Sequence, residues 1–318
     1  MVTHKIWFLY QFSLKITLVM KLIQTLLFLA LFSISTQAQK PNSFLIYSVK
    51  GSVTIIENNK SSKAQIGKLL TDQSKLSVGP NSLVSIICNE NSLFSIIKPG
   101  AYNMMQFKDS CLFNKSSITS NYLKFIWNQL TTPKGNPEKN RKSYMNNLGA
   151  VSRSNISIWV DSRLDTINYY NGSFPISWKC YSDVTEFNFQ LFEPGSKSIF
   201  QKTITSGTTV DIAEFAGKLK NNTPYSWTLK AKDEENTEKK VLIKWDKASY
   251  EKLVIRFRAA NERFETEAEQ SFRLGFLLES ARFYSEAYQY YKNAAQLSPD
   301  TELFQKTLDA FKKDYHIE

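Results

Sequence analysis

The sequence predicts a multidomain protein in which two all-β regions precede an all-α region. Between residues 44 and 107, short apolar runs alternate with turns rich in Gly, Asn and Ser, a pattern typical of a small β-roll or barrel. Between residues 156 and 245, apolar and polar residues alternate along the runs, as they do in half-buried antiparallel strands. From Ala248 onward, apolar residues recur at helical spacing. We therefore expect three units, each with its own core.

The composition is that of a folded, basic protein. Of the 318 residues, 42% are hydrophobic and 14% aromatic, which is enough apolar material for sizeable cores. The chain has 40 Lys and Arg against 29 Asp and Glu, for a net charge of +11. This excess favours anionic partners such as a wall polymer or a membrane surface, without sequence specificity.

An export signal is predicted at the start of the chain. Lys21 precedes an apolar run over residues 22–34, and the small or polar residues 35–38 follow it. This order indicates a secretory signal peptide cleaved after Ala38, with Met20 as the expected start and residues 1–19 as an upstream extension. The run is shorter than the ~20 apolar residues that span a bilayer, and retention as an anchor is the alternative. We expect a bacterial protein of the periplasm or cell surface.

The histidine and cysteine counts exclude several kinds of chemistry. The only histidines are His4, within the predicted signal, and His316, near the C-terminal end, so a histidine-dependent triad is excluded. The three cysteines show no paired short spacing, which argues against zinc. We expect no metal and no cofactor.

Export places the cysteines in an oxidising compartment, where they tend to pair. Cys88 and Cys111 lie in the same N-terminal unit and are the favoured pair, with Cys180 left over. Three buried thiols that act as small apolar side chains are the alternative.

The N-terminal unit resembles the FecR-like β domain. The motifs that carry this resemblance are a Gly-x-Val opening, Gly-containing strands and a strand–turn–strand close, at residues 49–53, 67–70, 76–79, 82–86 and 93–100. The turn at residues 89–91 departs from the Asp-Gly that is common in the family. FecR regulators of sigma factors carry a cytoplasmic segment and a membrane span before this domain, whereas a signal peptide is predicted here. The anti-sigma role is therefore not carried over.

The region from 109 to 155 is predicted to be a helical and basic linker. Residues 121–130 carry apolar side chains at helical spacing and end at a Thr-Pro-Gly breaker cluster. The basic run at residues 134–142 can mark nucleic acid, but an exported protein seldom meets it. We expect a solvated linker and no nucleic-acid partner.

The central region resembles the fibronectin type III and related immunoglobulin-like sandwiches. Residues 219–227 are similar to the turn and tyrosine that enter the penultimate strand of these folds, with Tyr225 as the tyrosine. The resemblance implies that the Tyr225 hydroxyl bonds back across the corner and that Trp178 is the core tryptophan. The alternating aromatics favour core packing over a sugar-binding platform.

The C-terminal region resembles a tetratricopeptide repeat. The residues that match the repeat in order and spacing are Leu274, Gly275, Leu278, Ala287, Tyr291, Ala294 and Pro299. A repeat of this kind spans ~34 residues, and about three are needed for independent stability. We therefore expect the partial array to pack against the sandwich or a partner. In this family the first helix lines a groove, and by spacing Glu269, Phe272, Phe276 and Glu279 are the expected protein-binding residues. The alternative is that the groove of a single repeat is small and that Phe272 or Phe276 packs on the neighbouring helix.

These observations predict a non-enzymatic exported envelope protein that acts as a protein-interaction scaffold or adaptor. Its expected partners are proteins of the cell envelope. A cell-wall or carbohydrate-binding module is the alternative, and a carboxylate-based hydrolase is a weaker one, because acid clusters such as residues 233–235 are more often solvated charge. The predicted units are the signal peptide 1–38, the FecR-like domain 39–108, the linker 109–155, the sandwich 156–246 and the helical unit 247–318.

Overall fold

The computed structural model describes residues 24, 42–111, 117–132, 141, 158–181, 183–195, 198–231, 239–259 and 265–317. Apart from Gln24, the predicted signal peptide lies outside these residues. Residues 42–318 form one compact unit. Within the described ranges, none of the helices is long and apolar enough to cross a membrane.

The N-terminal region, called the roll below, has two four-stranded antiparallel sheets, with strand orders β4-β1-β6-β7 and β3-β2-β5-β8. The strands are β1 Ser43–Lys50, β2 Val53–Glu57, β3 Lys60–Lys63, β4 Leu69–Thr71, β5 Lys75–Val78, β6 Leu83–Cys88, β7 Ser92–Ile96 and β8 Gly100–Asn103. A 3-10 helix, Met104–Cys111, follows. The roll has a core of its own between the sheets. Cys88 and Cys111 are joined in a disulfide with their Cα atoms 5.3 Å apart.

The central region, called the sandwich below, has a five-stranded sheet, β10-β16-β15-β12-β13, and a three-stranded sheet, β14-β11-β9. The strands are β9 Ile158–Val160, β10 Thr166–Tyr169, β11 Pro175–Cys180, β12 Phe187–Phe192, β13 Ser198–Ile204, β14 Thr209–Asp211, β15 Pro224–Ala231 and β16 Lys240–Lys244. Trp178 is buried in its core. The Tyr225 hydroxyl accepts a 2.8 Å hydrogen bond from the Lys220 N–H, the bond that the resemblance implies.

The helices are α1 Ser117–Thr131, α2 Lys247–Ala259, α3 Glu267–Ser280, α4 Tyr284–Leu297 and α5 Glu302–Tyr315. The prediction that β regions precede a helical region is confirmed. Helices α3 and α4 form the hairpin expected of a repeat, and α5 packs on α4.

The helical region shares its core with the sandwich. One continuous apolar cluster joins sandwich residues to α1 and to helices α2–α5, and it reaches Leu45, Tyr47 and Ile87 of the roll. The Tyr284 hydroxyl donates to the Arg163 carbonyl at 2.6 Å across this contact. The expectation of three separate cores is therefore corrected, because the partial repeat buries its apolar faces against the sandwich and α1.

Candidate binding cleft and the face of the helical repeat

The face of α3 that was predicted to line a protein-binding groove is covered by the chain itself. Phe272 and Phe276 are fully buried, and the rings of Tyr122 and Phe125 from α1 pack on them with centroids 5.0 to 6.5 Å apart. Glu279 on the same helix is 2% exposed. The prediction of an open groove is corrected, because these side chains find their partners within the chain.

Glu279 belongs to a buried ionic network between the linker, α3 and α5. Arg141, which is fully buried, pairs through its two terminal nitrogens with Glu279 and Asp314. The Tyr291 hydroxyl donates to Glu279 Oε2 at 3.0 Å, and Arg163 of the sandwich lies 3.9 Å from Asp314. The apolar and basic side chains that a groove partner would bring are thus supplied by α1 and by Arg141.

Glu269, the fourth predicted groove residue, is half-buried and caps α3. Its Oε2 accepts hydrogen bonds from the Thr266 N–H at 2.7 Å and the Thr266 hydroxyl at 3.0 Å, and the Glu269 N–H donates to Thr266 Oγ1 at 3.2 Å. This reciprocal capping box fixes the start of the helix. The same carboxylate lines the cleft described below.

The residues expected to pack the repeat lie at the contact between α3 and α4. A Cβ atom on Gly275 would come within 2.8 Å of the Tyr291 ring, so the helices can approach this closely only with glycine at the position. Pro299 is exposed and follows the end of α4. The other members of the set are buried, and they are Leu274, Leu278, Ala287, Tyr291 and Ala294.

A cleft of about 220 Å³ opens where the roll, α1 and the helical region meet. Its walls are mainly apolar, with Ile66 from the roll, Ile126 and Leu130 from α1, and Leu303 from α5. Its polar lining residues are Tyr47, Tyr122, Glu269 and four Ser or Thr residues. A concave apolar site with a few convergent polar groups is the usual form of a binding site in proteins.

Tyr47 and Tyr122 meet because the first strand is irregular. The register of β1 against β6 shifts between Ile46 and Ser48, and Tyr47 sits at this shift. Such irregularities re-aim side chains beside functional sites. The two buried hydroxyls lie 2.9 Å apart, which joins the roll to α1.

A buried ion pair lies beside these hydroxyls. Glu265 and Arg273 are linked by three hydrogen bonds of 2.7 to 2.9 Å, and Arg273 also donates to the Phe257 carbonyl at 2.6 Å. Burial raises the pKa of Glu265, and its hydrogen bonds with Arg273 oppose that rise.

Burial also raises the pKa of Tyr47 and of Tyr122 well above the usual value, so both hydroxyls stay protonated at neutral pH. The charged residue that lines the cleft is Glu269, and four Ser or Thr residues lie beside it in the lining. Such groups can orient a bound side chain by hydrogen bonds and charge.

Sequence reasoning missed Tyr47 and Arg141 as members of these sites. Tyr47 stands in a strand, and Arg141 stands in a basic run that was predicted to be solvated. Their partners lie 75 and 138 residues away in the sequence, and no local pattern signals such a pairing. In the part of the chain that the structure describes, no group of three or more His, Cys, Asp or Glu is placed to hold a metal ion.

No protein-family model and no curated protein matches the chain. The resemblances of the roll, the sandwich and the helical region to known families therefore stay predictions from their motifs.

Proposed function

We propose that this protein is a non-enzymatic, exported envelope protein that acts as a protein-interaction adaptor through the cleft between its roll, α1 and its helical region. The observation that carries the proposal is that three regions from distant parts of the sequence jointly build this one cleft. A site built in this way exists only when the regions hold their mutual arrangement, and their continuous core provides that arrangement.

The size of the cleft supports a protein partner. Small-molecule sites usually measure about 300 to 1,000 Å³, whereas this cleft measures about 220 Å³. Protein interfaces commonly place a single apolar anchor side chain in a well-packed pocket. Ile66 lines the cleft and is 55% exposed, so its side chain is available to a partner.

The polar groups of the cleft define the chemistry of that partner. An apolar anchor would contact Ile66, Ile126 and Leu303, while a neighbouring Lys, Arg or amide group would bond Glu269. A partner segment with apolar and basic side chains is thus complementary to the cleft.

Export is part of the proposal and rests on the predicted signal peptide. The disulfide between Cys88 and Cys111 supports an oxidising compartment such as the periplasm or cell surface. N-terminal sequencing of the mature protein tests this directly, and a chain that begins at Met1 or Met20 would contradict cleavage at Ala38.

Co-purification from membranes tests the binding function. The bait is the chain from Gln39 with Ile66→Glu, and the matched control is Ile97→Glu, since Ile97 is also on the roll, is 50% exposed and does not line the cleft. We expect Ile66→Glu to lose partners that the wild-type and control chains retain. Equal retention by all three chains would contradict the assignment of the cleft.

A carbohydrate-binding role is the second candidate, and one observation favours it. Trp159 and Tyr181 are 45% and 72% exposed, and Lys179, directly opposite Trp159 in the sheet, lies with Nζ 5.4 Å from the Trp159 ring centroid. Trp127, by contrast, is buried. Retention on insoluble cell-wall material that is lost in Trp159→Ala but kept in Ile66→Glu would support this role over the adaptor role.

A further inference from the structure

Helix α2 carries a basic recess on the side of the molecule formed by the end of the sandwich. The recess has a volume of about 300 Å³, and the described residues that line it are Trp245, Ser249, Lys252, Leu253 and Arg256. Ser249, Lys252 and Arg256 follow one stripe of the helix, because they are spaced three or four residues apart, and Trp245 lies just before the helix begins.

Two positively charged side chains lie side by side in this recess. Lys252 and Arg256 are four residues apart on one helix face, a spacing at which like charges repel each other. Both are exposed, and among the described residues neither forms an ion pair. An anion that binds between them would relieve this repulsion.

Asp246, just before the helix, is already bonded at the start of the helix. The Asp246 carboxylate accepts hydrogen bonds from Ser249 N–H at 2.9 Å, Ser249 Oγ at 2.8 Å and Asn222 Nδ2 at 2.6 Å. These bonds lower the pKa of Asp246 to about 2. Asp246 therefore stays ionised as a helix cap and pairs with neither cation.

The floor of the recess is a fixed aromatic ring. The Trp245 indole N–H donates to Asn168 Oδ1 at 3.0 Å, and its ring packs edge-on against Phe283 with centroids 5.1 Å apart. The indole is half-buried, so one part of it stays accessible. Because the Trp245 side chain is already fixed, no conformational entropy of this side chain is lost when a ligand binds, which favours affinity.

We propose that this recess is a second interaction site, which binds an acidic segment of a partner protein. Glu or Asp side chains of the partner contact Lys252 and Arg256, and an apolar side chain beside them packs on Trp245. The site is independent of the cleft, which takes the opposite charge through Glu269.

A peptide fits this surface better than an anionic membrane does. Membrane surfaces are bound by protruding aromatic and apolar side chains, whereas the indole here forms the floor of a concavity. A concavity bordered by two cations instead suits the acidic side chains of a peptide, because the charge-assisted contacts of Lys and Arg with carboxylates are among the stronger hydrogen bonds.

Fluorescence anisotropy with a labelled peptide of alternating Glu and Phe residues tests the proposal on the full chain. Control peptides replace every Glu by Gln or every Phe by Ser. The protein variants are Lys252→Ala, Arg256→Ala and, as the matched control, Arg258→Ala, which removes the same charge from an exposed position of the same helix outside the recess. Vesicles that contain an anionic phospholipid are a separate arm.

We expect the Glu–Phe peptide to bind the wild-type chain, and both control peptides to bind more weakly. Lys252→Ala and Arg256→Ala should each weaken binding about fivefold or more, while Arg258→Ala changes it less than about twofold. Equal effects of all three variants would indicate unspecific attraction and overturn the proposal. Binding to vesicles with no binding to the peptide would overturn it as well.

Discussion

The hydroxyl groups of Tyr47 and Tyr122 lie 2.9 Å apart, at the base of the cleft and out of contact with solvent. One belongs to the first strand of the roll and the other to α1, which packs on the repeat through the same tyrosine. This hydrogen bond thus connects the roll to the helix that packs on the face of the repeat. Each hydroxyl satisfies the other in a place where an unpaired one is costly.

The two hydroxyls should contribute to the free energy of unfolding as a coupled pair. Tyr47→Phe and Tyr122→Phe each leave a buried hydroxyl without this partner, and we expect each to lower the free energy of unfolding by about 1 kcal/mol. The double variant should cost less than the sum of the two single ones. Urea unfolding of the four chains measures this, and strictly additive costs would show that the hydroxyls are not coupled.

Arg141 should be among the most sensitive positions of the chain. Arg141→Ala removes the cation that pairs with the buried Glu279 and with Asp314, and breaking a buried ion pair in this way costs about 3 to 5 kcal/mol. The matched control is Lys220→Ala, which removes a solvent-exposed pair with Glu193 and should leave the stability almost unchanged. Similar midpoints of thermal unfolding for the two variants would contradict the buried network.

Glu286 should make stability depend on pH. Its Oε1 accepts hydrogen bonds from the N–H groups of Tyr170 and Asn171 at 2.6 and 2.8 Å, while Oε2 is buried without a partner among the described residues. Burial raises the pKa of Glu286 from 4.5 to about 7, and these N–H bonds oppose the rise. The Glu286 carboxyl therefore links α4 to the sandwich, and its burial there disfavours the ionised form.

The folded chain binds the Glu286 proton more tightly than the unfolded chain does. Its contribution to stability is present below pH 4.5 and is lost as the pH rises to about 7, a decline of about 3 kcal/mol. Glu286→Gln keeps a carbonyl acceptor, so it should match the wild-type chain at pH 5 and exceed it in stability at pH 8. Glu251→Gln, on the exposed side of α2, is the control. A Glu286→Gln effect that is the same at both pH values would contradict this account.

Local patterns predicted the elements better than they predicted the contacts between them. The alternation over residues 186–192 and 225–231 found β12 and β15, and the turn before Tyr225 found a hydrogen bond that spans only five residues. The apolar stripe over residues 121–130 predicted α1, but the sequence did not indicate that the aromatic side chains of α1 pack on the face of the repeat. Phe272 and Phe276 were predicted to line a groove for a partner protein. A sequence shows which residues are apolar, but it does not show which other residues cover them.

Ala287 tests the packing of the repeat. It is fully buried between the helices, so Ala287→Leu forces extra volume into a filled contact and should cost about 1 to 3 kcal/mol. The same change at Ala248, which is exposed on α2, should have little effect. Thermal unfolding of the full chain makes the comparison, and an unchanged midpoint for Ala287→Leu would contradict the close approach of α3 and α4.

Site-specific photo-crosslinking in cells tests the central claim, that the protein works by binding a partner in the cleft. A photoreactive phenylalanine analogue is placed at Ile66, and in a parallel chain at Ile97, which has similar exposure on the roll but lies outside the cleft. We predict a discrete protein adduct from position 66 and none from position 97. The same adducts from both positions, or none from position 66 in a chain that is exported and folded, would contradict the account.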